Sequence, residues 1–131
     1  MLNSSQLVQF PTSSGRYYNT SLSAISIDNS ITLACGTGNT LVKTDDKINT
    51  SLSWSTMMNL HSHVASLGEL GLWDINYNDR FKKFICIKKT DKNGVRYGWI
   101  EANSSGVLNL IVYQQAFNKN YNQIIRAAQT Q

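Results

Sequence analysis

The chain has 131 residues, a formal net charge of +4, an apolar fraction of 41% and a charged fraction of only 15%. That length suits one domain with a core of its own, needing neither a structural metal nor a disulfide. No run of about 18 apolar residues is present to make a membrane-spanning helix, and Asn, Ser and Thr stand where charged residues would otherwise be, which favours short strands joined by hydrogen-bonding turns.

The start, "MLNSSQLVQF", lacks the basic and apolar regions of a signal peptide, and is read as a mature chain behind an added Met. Pro11 is the only proline, so little interrupts sheet extension. In "LSAISI", Leu22, Ala24 and Ser26 alternate with Ser23, Ile25 and Ile27, the period of a strand. "DNS" turns the chain, and "ITLAC" returns with Ile31, Leu33 and Cys35 on one face. "NTSLSW" places Leu52 and Trp54 opposite Ser51, Ser53 and Ser55, as in a strand with one wet side. Met57, Leu60, Val64 and Leu67 have roughly helical spacing, which predicts one short helix near 56–67.

In "GLWDINYND", Trp73, Ile75 and Tyr77 alternate with Asp74, Asn76 and Asn78. "KKFICIKK" and "VRYGWIEA" flank "TDKNG", where Asn93 and Gly94 both tolerate positive φ and predict a hairpin. "VLNLIVYQQAF" is apolar on both faces and reads as a central, covered strand, and "NQIIRAA" reads as a last strand. Cys35 and Cys86 each lie inside an apolar run, which favours two buried thiols over a bridge between neighbouring strands. The whole reads as one all-β domain, residues 1–131, an antiparallel β-sandwich of jelly-roll-like type.

The C-terminal half carries a resemblance. "GLW", the strand around Phe84 to Ile87, the unbroken "YGWI" of Tyr97–Gly98–Trp99–Ile100 and the later "AFN" of Ala116–Phe117–Asn118 occur in an order and spacing similar to those of secreted or lipid-anchored bacterial β-sandwich proteins of Bacteroidetes type. Cys86 stands where that group usually has Gly. Most of the group have no assigned activity, so the resemblance implies an architecture and a place, extracellular or on the outer cell surface, with any lipid anchor lying outside this chain. Within that frame Trp99 reads as interior, burying on the order of 200 Å², with Gly98 letting a neighbouring ring lie against the backbone.

Sites are harder to find. His61 and His63 would share a face on a strand and could begin a metal site with Glu69 or Asp74, but on a helix they diverge; polar loop histidines are the simpler reading. "DINYND", Asp74 to Asp79, starts like a calcium loop yet lacks its Gly and has Ile85 at the twelfth place. "CGTGN" is followed by no helix pattern to cradle an anion, so it reads as a turn. The sequons at Asn3, Asn19, Asn49 and Asn103 arise easily in so Asn- and Ser-rich a chain. No catalytic residue, metal or cofactor is assigned.

Charge is more informative. Seven of the twelve cations (Arg80, Lys82, Lys83, Lys88, Lys89, Lys92 and Arg96) lie in one stretch with a single acid, Asp91. Such a patch attracts anionic polymers, although lysines on strand edges also deter edge-to-edge pairing. The functional expectation is an exported binding or accessory module for an extracellular glycan or a surface protein, with Trp73, Tyr77, Asn76 and Asn78 as its first candidate ligand contacts. Its rivals are a small polysaccharide-degrading enzyme using His61 or His63 with a Tyr and a Lys or Arg, and a basic-patch binder of anionic polymers. Nucleic acid is not an expected partner.

Overall fold

The computed structural model describes residues 4–14, 20–38, 40–63, 73, 83–105 and 109–129. After a 3-10 turn at Ser4–Leu7 come β1 (Val8–Gln9), β2 (Thr12–Ser14), β3 (Thr20–Ser26), β4 (Ile31–Ala34), β5 (Gly36–Thr37) and β6 (Thr40–Leu41). The chain continues through β7 (Lys47–Ile48), β8 (Met57–His63), β9 (Lys83–Asp91), β10 (Gly94–Ser105), β11 (Asn109–Phe117) and β12 (Ile125–Arg126). Among the described residues no helix is long and apolar enough to cross a membrane.

Among the described residues two four-stranded sheets dominate, one joining β1, β2 and β8 around β3, the other ordered β11-β10-β9-β4. Every strand pair among the described residues is antiparallel. The sheets face each other across a core of Leu22, Ala24, Met58 and Leu60 from the first and Ile31, Leu33, Ile85, Ile87, Ile100 and Ala102 from the second. This is the antiparallel β-sandwich expected from the alternating pattern. The second sheet has another buried face: Phe84, Cys86, Tyr97 and Trp99 pack beneath Ile48, Ile125 and Ala127 of the small β7–β12 layer. Trp99 is wholly buried, packs edge-on to Phe84 at 5.9 Å, and donates its indole N–H to the Gln129 carbonyl oxygen (2.9 Å).

Several sequence expectations shift. Met57–His63 is a strand, not the start of a helix: Met57 is 61% exposed and Leu60 fully buried, so the two lie on opposite faces. The remaining positions of that expected helix fall outside the described residues. "DNS" is a turn, with the Ser30 amide donating to the Asp28 carboxylate (2.8 Å), but it carries the chain from one sheet to the other and does not close a hairpin. "NTSLSW" makes turns, not a strand; its alternation is real all the same, because Leu52 and Trp54 pack on the second core while the serines face out. Strand β11, expected to be central, forms an edge of its sheet among the described residues.

The β9–β10 hairpin forms where expected, with different turn chemistry. Asp91 pairs with Gly94, leaving Lys92 and Asn93 as the loop. Asn93 keeps a negative φ, because the Asp91 carboxylate accepts its amide (2.8 Å), and only Gly94 is positive, at φ 127°. The two cysteines are free and buried on opposite faces of the second sheet, Cys35 in the first core and Cys86 in the second. Burial pushes the Cys35 thiol up to about 12, offset in part by the Trp73 indole, and raises Cys86 well above the usual range. Both thiols are therefore expected to resist a thiol reagent in the folded protein at neutral pH and to titrate as two only in denaturant.

Gly98 marks the tightest approach. A Cβ there would sit 2.6 Å from the Phe117 ring and 2.8 Å from the Ala116 carbonyl oxygen, both on the paired strand. Gly98→Ala is expected to destabilise the fold by about 1–3 kcal/mol through overpacking, read as a lowered denaturant midpoint with an unchanged slope.

Candidate functional site

The β7–β12 layer is too short to cover the whole second face. Where it meets the β5–β6 hairpin a cleft of about 390 Å³ opens, lined by Leu41, Val42 and Leu52 and by Thr37, Thr40, Asp45, Asp46, Lys47, Asn49, Ser51 and Arg126. Its volume falls toward the small end of the usual range for small-molecule sites.

Backbone pairing fixes the walls. The Asp45 amide donates to the Ala127 carbonyl oxygen (3.0 Å), the Ala127 amide to that of Asp46 (2.9 Å), and the Arg126 guanidinium to that of Asp45 (2.9 Å). The Asp46 carboxylate accepts the Lys43 amide (2.8 Å), closing the turn in which Asp45 adopts a φ of 72°. Aspartate and asparagine tolerate that left-handed conformation better than most residues. Opposite, the Asn49 side-chain oxygen accepts the Ser51 amide (2.9 Å), and the Asn49 carbonyl accepts the Trp54 indole N–H (2.9 Å). The cleft thus offers hydroxyls, carboxylates and an amide beside an apolar strip. Its two carboxylates, Asp45 and Asp46, are balanced by Lys47 and Arg126.

Sequence reasoning passed over these residues. The signal was "TDDKINTS", two Asp/Asn turn segments either side of an apolar position, and turns of that kind build rims.

The residues singled out beforehand are placed differently. Trp73 is 3% exposed and belongs to the first core, so its ring faces inward; Asn76, Tyr77 and Asn78 lie outside the described residues. His61 and His63 both fall in β8, opposite Leu22 and Thr20 in register; Glu69 and Asp74 lie outside the described residues. Among the described residues no three His, Cys, Asp or Glu gather as a metal site would require.

The basic hairpin spreads its charge. Arg80 and Lys82 lie outside the described residues. Lys83 is 7% exposed, its ammonium 5.8 Å from the Trp73 ring centroid. Lys88 lies 4.9 Å over Trp54, on the opposite face of the sheet from Lys89. Arg96 is held between Phe117 (5.3 Å) and Tyr121 (4.7 Å) and approaches Asp91 at 3.5 Å. Lys92 is exposed at the turn. Aromatic faces take up three of these cations, and the described ones do not converge on a single surface.

No family model matches the chain, and no curated protein or solved structure is detectably similar to it.

Asp91 organises the hairpin tip. Its carboxyl lies below its ordinary 3.8 because the Asn93 amide donates to it, with the Tyr121 hydroxyl and the Arg96 guanidinium adding to the effect. A depressed carboxylate contributes stability that is present above its unfolded value and lost as pH falls through the folded one. Denaturant midpoints of Asp91→Asn are accordingly expected to lie below those of the parent near neutral pH and to converge with them in acid.

Proposed function

We propose that the chain is a non-catalytic binding module that holds a neutral, hydroxyl-rich glycan in the cleft between the β5–β6 hairpin and the β7–β12 layer. The lining of that cleft carries the reading. Sugar hydroxyls donate and accept at once, and Asp45, Asp46, Asn49, Ser51, Thr37 and Thr40 supply both kinds of partner beside Leu41 and Leu52, which suit a sugar's apolar face. The charge balance of the cleft disfavours a polyanion, since neither sign prevails there. Fixed walls lower the ordering cost of binding.

The setting proposed is outside a bacterial cell. It rests on the similarity of "YGWI" and "AFN" to exported bacterial sandwiches, now joined by the sandwich architecture itself. Fold alone assigns no activity, so the proposal stands on the cleft.

Titration against neutral and acidic polysaccharides, each at low and high salt, tests it. Binding to a neutral polymer is expected, insensitive to salt, and weakened about tenfold or more by Asp45→Asn, the loss of one charged hydrogen-bond acceptor. Asn is compatible with the backbone at that position, so the variant is expected to fold. Salt-sensitive binding to acidic polymers alone would transfer function to the basic hairpin, and no binding to any polymer would overturn the glycan reading.

A further inference from the structure

Asn93 and Gly94 close the β9–β10 turn, and Asn-Gly occurs nowhere else in the chain. Each residue of the pair answers a different need. Gly94 has a φ of 127°, and a Cβ there would sit 2.5 Å from the Asn122 side-chain oxygen and 2.6 Å from its nitrogen, so the position excludes a side chain on both counts. Asn122 stands that close because it clamps the tip. Its amide donates to the Val95 carbonyl oxygen (2.6 Å), and its side-chain oxygen accepts the Val95 amide (3.1 Å). Asn93 serves the turn through its backbone, whose amide donates to the Asp91 carboxylate (2.8 Å), and the residue is exposed. A glycine required by packing thus directly follows an asparagine that faces solvent.

That order has a chemical consequence. The backbone nitrogen after an asparagine lies within ring-closing reach of the asparagine's own side-chain carbonyl, and the bulk of the following side chain is what normally hinders the approach. Gly94 has none. Asn49, Asn118 and Asn122 differ on both points: their side chains are engaged in hydrogen bonds, and each is followed by a residue with a side chain.

We propose that Asn93 is a self-modification site, converted by attack of the Gly94 backbone nitrogen into a mixture of isoaspartate and aspartate. The Gly94 nitrogen gives up its proton and bonds to Asn93 Cγ; the Cγ–Nδ2 bond breaks, and ammonia leaves with that proton, closing a cyclic succinimide. Water then opens the ring. Cleavage of the bond between Cγ and the Gly94 nitrogen yields aspartate on an unchanged main chain. Cleavage of the bond between the Asn93 backbone carbonyl carbon and that nitrogen yields isoaspartate, whose main chain runs through the former side chain and is one atom longer. Water is the sole co-reactant, and no electron is transferred.

The surroundings favour the step. Ring closure requires the Gly94 nitrogen to swing toward Cγ, and opening a loop tip costs far less than unfolding the domain. The nitrogen must also lose its proton, which a positive field assists; Lys92 is exposed at the turn, and the charge of Lys89 already reaches Asp91 there. The product adds a negative charge to the basic hairpin and lengthens its tip against the Asn122 clamp. The segment clamped there leads into β12, which covers the second core and brings Arg126 to the cleft.

Warm incubation of the folded full chain at mildly alkaline pH tests the proposal, with peptide mapping that separates isoaspartate from aspartate. Isoaspartate is expected at position 93 ahead of every other asparagine, at a rate that rises with pH, and the converted protein is expected to show a lowered denaturant midpoint. Asn93→Gln, exposed and compatible with the same backbone but forced to close a larger ring, is expected to slow the conversion at least about tenfold; an unchanged midpoint before incubation would show that it folds. A denatured sample run in parallel supplies the contrast. Conversion at Asn93 in the denatured chain but not in the folded one overturns the proposal. So does faster conversion at another asparagine, or a rate that climbs in step with the unfolded population as denaturant is added. No glycan enters the measurement, so its outcome is independent of the glycan reading.

Discussion

Strand β9 is buried on both of its faces, and the rest of the molecule is arranged around that constraint. Lys83 through Ile87 are five consecutive buried residues, with Ile85 and Ile87 turned into one core and Phe84 and Cys86 into the other. A strand apolar on both sides requires a cover on each. The first sheet supplies one. The other is improvised from β7, β12 and the turns around them, held by the Trp99 indole and by backbone exchanges between Asp45, Asp46 and Ala127. Such a cover is short, and the cleft exists because it stops early.

The same constraint explains the cations. A strand packed on both faces leaves its lysines only the ends and the margins of the cores, where the nearest surfaces are aromatic. Lys83 thus lies beside Trp73 and Lys88 over Trp54, while on β10 Arg96 lies between Phe117 and Tyr121. A charge count reads a cluster in sequence; the pleat separates it in space, since Lys88 and Lys89 are neighbours in the chain and back to back in the sheet. Contact with an aromatic face also narrows what a cation is free to attract.

What the sequence disclosed followed its periodicity. Alternation at Leu22 and Ala24, at Ile31 and Leu33, and on both sides of β9 was legible because period-2 patterning records burial directly. Gly98 was legible because a glycine inside a strand implies close approach, and Phe117 is the ring that approaches. Pairing partners were not legible. Nothing local distinguishes a turn that closes a hairpin from one that crosses between sheets, so the Asp28–Ser30 turn misled. The apolar run of β11 misled for a related reason: residues apolar on both faces suit a central strand and, as among the described residues, an edge strand equally well. The cleft was hidden more thoroughly, since Asp45 and Asn49 come within reach of Arg126 only through the pairing of β7 with β12. One of the four candidate ligand contacts named from sequence was Trp73, whose ring the first core absorbs.

The hydrogen bond from Trp99 to the Gln129 carbonyl has a bearing on the order in which the molecule can assemble. Strand β4 cannot pair until β9 has emerged, and the second face of the central sheet cannot close until the segment from Ile125 to Gln129 is in place. Non-local pairings of this kind pay their loop-closure entropy early and are rewarded late. Until Ile125–Gln129 docks, Phe84 and the Trp99 indole therefore lack part of their cover on an otherwise formed sheet.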